Sequence, residues 1–261
     1  MGVGRGVLDV WGDATLPGAW ASVTKLATAL ATLVAVEEQT VDLDEPAGPP
    51  GSTVRHLLAH ASGLDFDSDR VRAAPGRRRI YSNRGFEVLG AAVGDRAGMP
   101  FASYLTEAVL TPLGMAATRL EGTPAAGLVG PLDDLVRLAR ELLEPTLVSP
   151  STLRTATTVA FPGLAGLLPG FGSQDPLDWG LGFELREAKS PHWTGSTNSP
   201  ATFGHFGRSG SLLWVDPDAG LGCAVLSGRD FDAWAKQAWP ALADAVLAEQ
   251  RLAEHREDRR P

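Results

Sequence analysis

At 261 residues, with 44% apolar and 21% charged residues, the chain is long enough for one sizeable core and has the composition of a folded globular protein. Its formal charge of −8 and pI near 5.1 exclude a broad surface for nucleic acid or anionic membrane, since such partners need clustered positive charge. One cysteine, Cys223, excludes an internal disulfide.

No apolar stretch reaches about 18 residues without polar interruption, and Met1–Gly6 lacks the charged region and apolar run of a signal peptide. A cytoplasmic protein is therefore expected. Residues 6–12 alternate as a strand, followed by a turn-rich stretch to Gly18. From Ser22 to about Glu38 apolar residues leave almost no polar face, which predicts a buried helix. Further helices are predicted over 53–60, 84–97, 101–109 (ended by Pro112) and 132–143.

The stretch from Gly163 to Ser199, rich in Gly, Pro, Ser and Asp, predicts long loops with a strand near 181–186. Short strands follow over 202–206, 211–215 and 222–226, with Asp216-Pro217-Asp218-Ala219-Gly220 as a turn. A final helix is predicted from Ala233 to about His255, with a charged tail after it. Cys223, in an apolar strand, reads as a core thiol. Strands at both ends with helices between predict an α+β fold. Residues 1–20 and 200–261 would build one antiparallel sheet with flanking helices, and 21–199 a mainly helical part of the same domain.

Two short motifs carry chemistry. Ser22 and Lys25 stand three apart where the first apolar helix begins, and Lys25 is one of only three lysines beside twenty arginines. A desolvated amine one helical turn from a serine, on the same face, can take its proton. Alone the pattern is weak, because roughly one chain in six of this composition would contain Ser-x-x-Lys by chance, and Ser22 reads equally as a helix cap. Tyr81-Ser82-Asn83 is the second element, in a chain with two tyrosines and two asparagines; together the motifs coincide by chance in only roughly a few chains per thousand. A phenol near an ammonium can relay a proton, and an asparagine amide can hold both the lysine and a substrate carbonyl.

A third element, Gly204-His205-Phe206-Gly207-Arg208-Ser209-Gly210-Ser211, can place His205 at a site and offer a backbone N–H to a developing oxyanion. His56 and His60, four apart, lack the Glu and third ligand of a metal site and read as packing residues. Arg77-Arg78-Arg79 reads as a solvated basic run before a structural element. Gly-x-Ser-x-Gly does not occur, since the glycine before Ser209 is one place too early, which sets aside an α/β-hydrolase.

In the order Ser-x-x-Lys, Tyr-x-Asn, His-x-Gly, the chain resembles the serine β-lactamase and penicillin-binding protein superfamily, and within it the class C β-lactamase and esterase-like (family VIII-type) branch. Supporting stretches are Arg55 to Leu64, Pro75-Gly76, Thr111-Pro112-Leu113-Gly114-Met115 and Trp179-Gly180-Leu181-Gly182-Phe183. The resemblance implies a β-lactamase/transpeptidase-like fold, Ser22 as acylated nucleophile, Lys25 as base and Tyr81 as proton relay. Asn83, His205, Gly207 and Arg208 would bind substrate, with the backbone N–H groups of Ser22 and Arg208 as the oxyanion hole, and no cofactor or metal. Only 21 residues precede Ser22, so by this resemblance the sheet is short by a strand or completed by another chain. His205 stands where lactamases carry a lysine, which weakens recognition of a substrate carboxylate.

These readings point to a serine hydrolase acting on small acyl esters or amides through an acyl-serine intermediate, with an esterase favoured. A β-lactamase or D-alanyl-D-alanine carboxypeptidase, a transacylase and a non-catalytic acyl-ligand-binding module remain alternatives, and self-association of the chain is left open.

Overall fold

The computed structural model describes residues 2–3 and 7–257; Gly6, expected to open the first strand, and the end of the charged tail lie outside the described residues. The chain starts with short strands Gly2–Val3 (β1), Val7–Asp9 (β2) and Gly18–Ala19 (β3), then a 3-10 turn, Ala21–Val23, that runs into helix Thr24–Glu37 (α1). Val54–Leu58 (α2), Asn83–Ala97 (α3) and Phe101–Leu105 (α4) follow, the last continuing as a π-turn, Thr106–Leu110. Arg119–Leu120 (β4) and Leu128–Gly130 (β5) precede Leu132–Leu143 (α5) and Pro150–Ala156 (α6). Gly166–Leu168 (β6), Gly172–Gln174 (β7) and Glu184–Leu185 (β8) lead to Phe203–Phe206 (β9), Ser211–Asp216 (β10), Leu221–Leu226 (β11) and helix Ala233–Glu257 (α7).

The main sheet is antiparallel, six-stranded and ordered β2-β1-β11-β10-β9-β8. Both of its faces are covered, which is why β10 reads as an unbroken apolar run rather than an alternating one. Leu213 and Val215 pack into the core shared with α1 and α5, while Leu212 and Trp214 point to the core shared with α7 through Trp239, Ala243 and Leu247. The short N-terminal segment supplies two strands of this sheet, β1 and β2. Two sequence boundaries shift. Gly18–Ala19 joins a separate three-stranded sheet, β3-β5-β4, and β8 enters the main sheet from within the stretch read as helical.

Helix α1 is the hub. Every residue from Thr24 to Ala35 is buried, as its Ala- and Leu-rich composition predicts for a helix apolar on all sides. Each buried leucine contributes about 1.5–3 kcal/mol from burial. The threonine hydroxyls are satisfied locally: Thr28 donates to the Pro124 carbonyl at 2.6 Å and Thr32 to the Thr28 carbonyl at 2.9 Å. Gly182 lets the neighbouring loop approach this helix, because at its φ of +91° a side chain is strained and its Cβ would fall 2.2 Å from that of Ala29. The same positive φ cuts the strand expected over 181–186 to two residues. Among the described residues no helix is long and apolar enough to cross a membrane.

Candidate active site

The junction of the sheet with α1 brings together Ser22, Lys25, Tyr81, Asn83 and His205. Ser22 is not a helix cap. It sits in the 3-10 turn ahead of α1, and Ala21 before it is held at φ +44°, a left-handed conformation that costs a non-glycine residue about 1–3 kcal/mol. The turn between β9 and β10 holds that geometry: Ser209 Oγ donates to the Ala19 carbonyl and Ser211 Oγ to the Trp20 carbonyl, each at 2.7 Å. Gly207 is required here, since a Cβ would lie 2.3 Å from Ser211 Oγ and 2.6 Å from the Trp20 carbonyl. The resemblance places Gly207 among the substrate-binding residues; the space a side chain there would take is filled by Ser211 Oγ and the Trp20 carbonyl.

Lys25 is fully buried, and its ammonium meets only neutral acceptors. Nζ lies 3.5 Å from Ser22 Oγ, 2.7 Å from Asn83 Oδ1 and 2.8 Å from the Ala125 carbonyl. Burial pulls its pKa down to about 7 against the upward pull of the Asp67 and Glu87 carboxylates, so near neutral pH a substantial fraction is the free amine. Helix α3 presents Asn83 on its first turn; the cap is Ser82, whose Oγ accepts from Gly85 N at 2.9 Å and donates to the Asp65 carbonyl at 2.6 Å. Asn83 Nδ2 donates to Asp67 at 3.0 Å, which turns the amide oxygen toward Lys25. Asp67 was not singled out from sequence, because nothing local marks it as a partner of a residue sixteen positions away.

Tyr81 shares a hydrogen bond with the Ser22 hydroxyl, and its ring lies 4.8 Å from Lys25 Nζ. Burial pushes its phenol well above the ordinary value, outweighing the Ser22 bond, so the tyrosine keeps its proton. His60, Phe66, Trp179 and His205 surround the ring with centroids 4.6–5.9 Å away. The segment before it is anchored by Arg79. Its guanidinium is buried and donates to the carbonyls of Ala59, Leu177, Ala160 and Phe161, so this member of the basic run is not solvated.

His205, on β9, is also buried. Its Nδ1 donates to the Phe206 carbonyl at 2.7 Å, which leaves Nε2 as a bare acceptor with no partner among the described residues. Burial, aided by the Lys25 charge, lowers its pKa to about 3, so it is neutral across the physiological range. The backbone N–H groups of Ser22 and Arg208 have no acceptor among the described residues, as an oxyanion site requires. Arg208 has an exposed side chain at the same cavity.

That cavity, about 210 Å³, opens on Ser22 and is walled mainly by Leu168, Pro169, Trp179, Phe206 and Phe231. Glu184 lines it too, on the two-residue strand beside β9. Fully buried, it meets Lys189 Nζ at 2.7 Å, His192 Nε2 at 2.9 Å and Trp193 Nε1 at 2.8 Å. Burial opposes its ionisation, but His192 and the Lys189 ammonium hold its pKa at about 2. This cluster ties β8 to the irregular stretch that follows it, read from sequence as loops.

His56 and His60 do not converge. His56 Nδ1 bonds Thr53 Oγ1 at 2.9 Å and its ring packs on Phe161, whereas His60 Nδ1 accepts from Ser82 N at 3.2 Å. Among the described residues no group of three His, Cys, Asp or Glu is placed to hold a metal ion. Cys223 is buried in β11, where burial raises its thiol pKa.

The sequence matches the beta-lactamase family over residues 14–248. It is similar to a beta-lactamase, Mb2281c, from Mycobacterium bovis, with 56% identity, 95% of this chain and 93% of that one covered, and a TM-score of 0.94. It is 24% identical to the esterase EstB of Burkholderia gladioli, over 87% of this chain and 81% of that protein. It is also 26% identical to the D-alanyl-D-alanine-carboxypeptidase/endopeptidase AmpH of Escherichia coli, over 40% of this chain; the matched stretch spans 37% of AmpH. With the family match covering most of its length and the fold shared almost residue for residue with Mb2281c, this chain belongs to the beta-lactamase family.

Proposed function

We propose that the protein is a serine hydrolase that cleaves esters of small, uncharged acyl groups through an acyl-Ser22 intermediate. One observation carries the reading: a buried lysine within reach of the serine, ringed by neutral acceptors that do not oblige it to stay protonated. Lys25 takes the Ser22 proton as Oγ attacks the acyl carbonyl. The N–H groups of Ser22 and Arg208 receive the developing oxyanion. Tyr81, which keeps its phenolic proton, passes it to the departing alkoxide and is reprotonated by Lys25. Water then attacks the acyl-enzyme, its proton taken by Lys25, and Ser22 leaves with a proton relayed through Tyr81.

The substrate preference rests on the pocket. At about 210 Å³ it is smaller than the roughly 300–1,000 Å³ typical of drug-sized ligands, and its walls are apolar. His205 offers a neutral acceptor where a carboxylate would need a cation. A second reading, β-lactam hydrolysis, is favoured by the 56% identity to a protein described as a beta-lactamase.

Intact-mass spectrometry after exposure to an activated ester tests the first reading. An adduct on the wild type that is absent in Ser22→Ala supports it, and absence of any adduct overturns it. With a chromogenic cephalosporin, kcat/KM is expected to stay below about 10⁶ M⁻¹s⁻¹; efficient turnover would favour the second reading.

A further inference from the structure

The arginine run is split by the fold in a way the catalytic reading does not use. Arg79 turns inward onto carbonyls, Arg77 is exposed, and Arg78 lines a groove of about 640 Å³ together with Arg72. This groove shares Phe66, Tyr81 and Pro169 with the cavity that opens on Ser22, so the two adjoin at these residues. Resting on the acyl-serine reading above, we propose that the groove is a subsite for the leaving half of the substrate and selects esters whose alcohol or phenol carries an anionic group on an apolar stem.

Three observations carry it. The groove borders Tyr81, whose proton the departing oxygen needs, but none of Ser22, His205 or Arg208, which line the adjoining cavity instead. Its free charge is Arg78, which has no ion pair among the described residues; Arg72 is paired at 3.3 Å with Asp65, which lines the groove as well. In a chain of net charge −8, two arginines flanking the entrance to the nucleophile are not a general property of the surface. Phe66 and Leu167, 46% and 63% exposed, give the same groove an apolar wall. Guanidinium groups above exposed apolar side chains suit a carboxylate or phosphate on a hydrocarbon or aromatic stem.

The test compares 4-acetoxybenzoate with 4-acetoxybenzamide, which share an acyl group and shape and differ in the charge of the leaving phenol. Wild type is expected to favour the carboxylate by about fivefold in kcat/KM, through KM. Arg78→Ala should abolish the preference, Arg78→Lys should keep most of it, and Arg77→Ala, outside the groove, should leave it unchanged. Comparing one substrate pair across variants cancels the intrinsic reactivity of the two esters. A carboxylate-to-amide ratio of kcat/KM that is the same in wild type and in Arg78→Ala overturns the proposal. Calorimetric binding of 4-hydroxybenzoate against 4-hydroxybenzamide needs no turnover: tighter carboxylate binding lost in Arg78→Ala supports the subsite, and equal binding overturns it. If neither ester is cleaved in a Ser22-dependent way, the acyl-serine reading fails, and the binding data still decide the subsite.

Discussion

Two of the three lysines of this chain are buried, and their surroundings make them opposites. Lys25 touches the Ser22 hydroxyl, the Asn83 amide oxygen and a backbone carbonyl, and no carboxylate. Lys189 touches the Glu184 carboxylate at 2.7 Å, with the carbonyls of Asp178 and Leu185 completing its shell. Both lose their hydration. Only Lys189 regains a full opposite charge, and it becomes a strut for the irregular roof of the pocket, whereas Lys25 is left as an amine that gains and loses its proton near neutrality. Burial alone does not make a catalytic base; burial among neutral acceptors does.

Removing each cation should break the comparison in a different place. Lys25→Met is expected to lower the rate of Ser22 acylation about a thousandfold, as loss of a positioned base does, with little loss of stability because no carboxylate is stranded. Stopped-flow acylation and a thermal melt check both halves. Lys189→Met should do the reverse. It leaves Glu184 charged and buried, costs about 3–5 kcal/mol, and lowers Tm by about 10 °C, while the protein that remains folded acylates at close to the wild-type rate.

Asp67 refines the Lys25 side of the contrast. It sits on an exposed loop strapped to the start of α3, where the Phe66 carbonyl accepts from Asn83 N at 2.8 Å and Arg84 N at 3.0 Å. Its carboxylate fixes the Asn83 amide. Asp67→Ala is expected to reduce kcat/KM about fivefold, the worth of one hydrogen bond. Asp67→Asn keeps an acceptor but removes a charge that raises the Lys25 pKa, so its acid limb should move to lower pH, by less at high salt. His60, His205 and Glu87 also face Lys25 and are untouched by this change. Matching pH profiles for wild type and Asp67→Asn would remove the carboxylate from the account.

The same contrast shows what the sequence could disclose. Ser22 and Lys25 lie within one helical turn, and Tyr81 and Asn83 within three residues, so local spacing marks them as candidates, and the structure brings them together. The strands β9–β11 and helices α1, α3 and α5 were also legible, since each is long enough to show its period. Glu184, Arg79 and Asp67 were not. Arg79 bonds the Leu177 carbonyl 98 positions away and Asp67 the Asn83 amide sixteen away, while the partners of Glu184, within nine positions, lie in an irregular stretch with no period. The two- and three-residue strands β4 to β7 are too short to carry a pattern, whereas β8 falls within the strand read over 181–186. Helix α6 was missed because Pro150 opens it: proline suits the first turn of a helix but reads as a breaker in a loop-rich stretch. The turn before Ser22 depends on hydroxyls of Ser209 and Ser211, from the far end of the chain.

The pH dependence of single-turnover acylation at Ser22, in wild type and in Lys25→Met, tests the account at its centre. Because the charged form of Lys25 is disfavoured by burial, the free amine accumulates as pH rises, and the wild-type rate should climb tenfold per pH unit to a plateau, half-maximal near pH 7. That limb should be missing from the residual rate of Lys25→Met. A half-maximal point near pH 10, the range of an ordinary solvated lysine, or the same limb persisting in Lys25→Met, would contradict it.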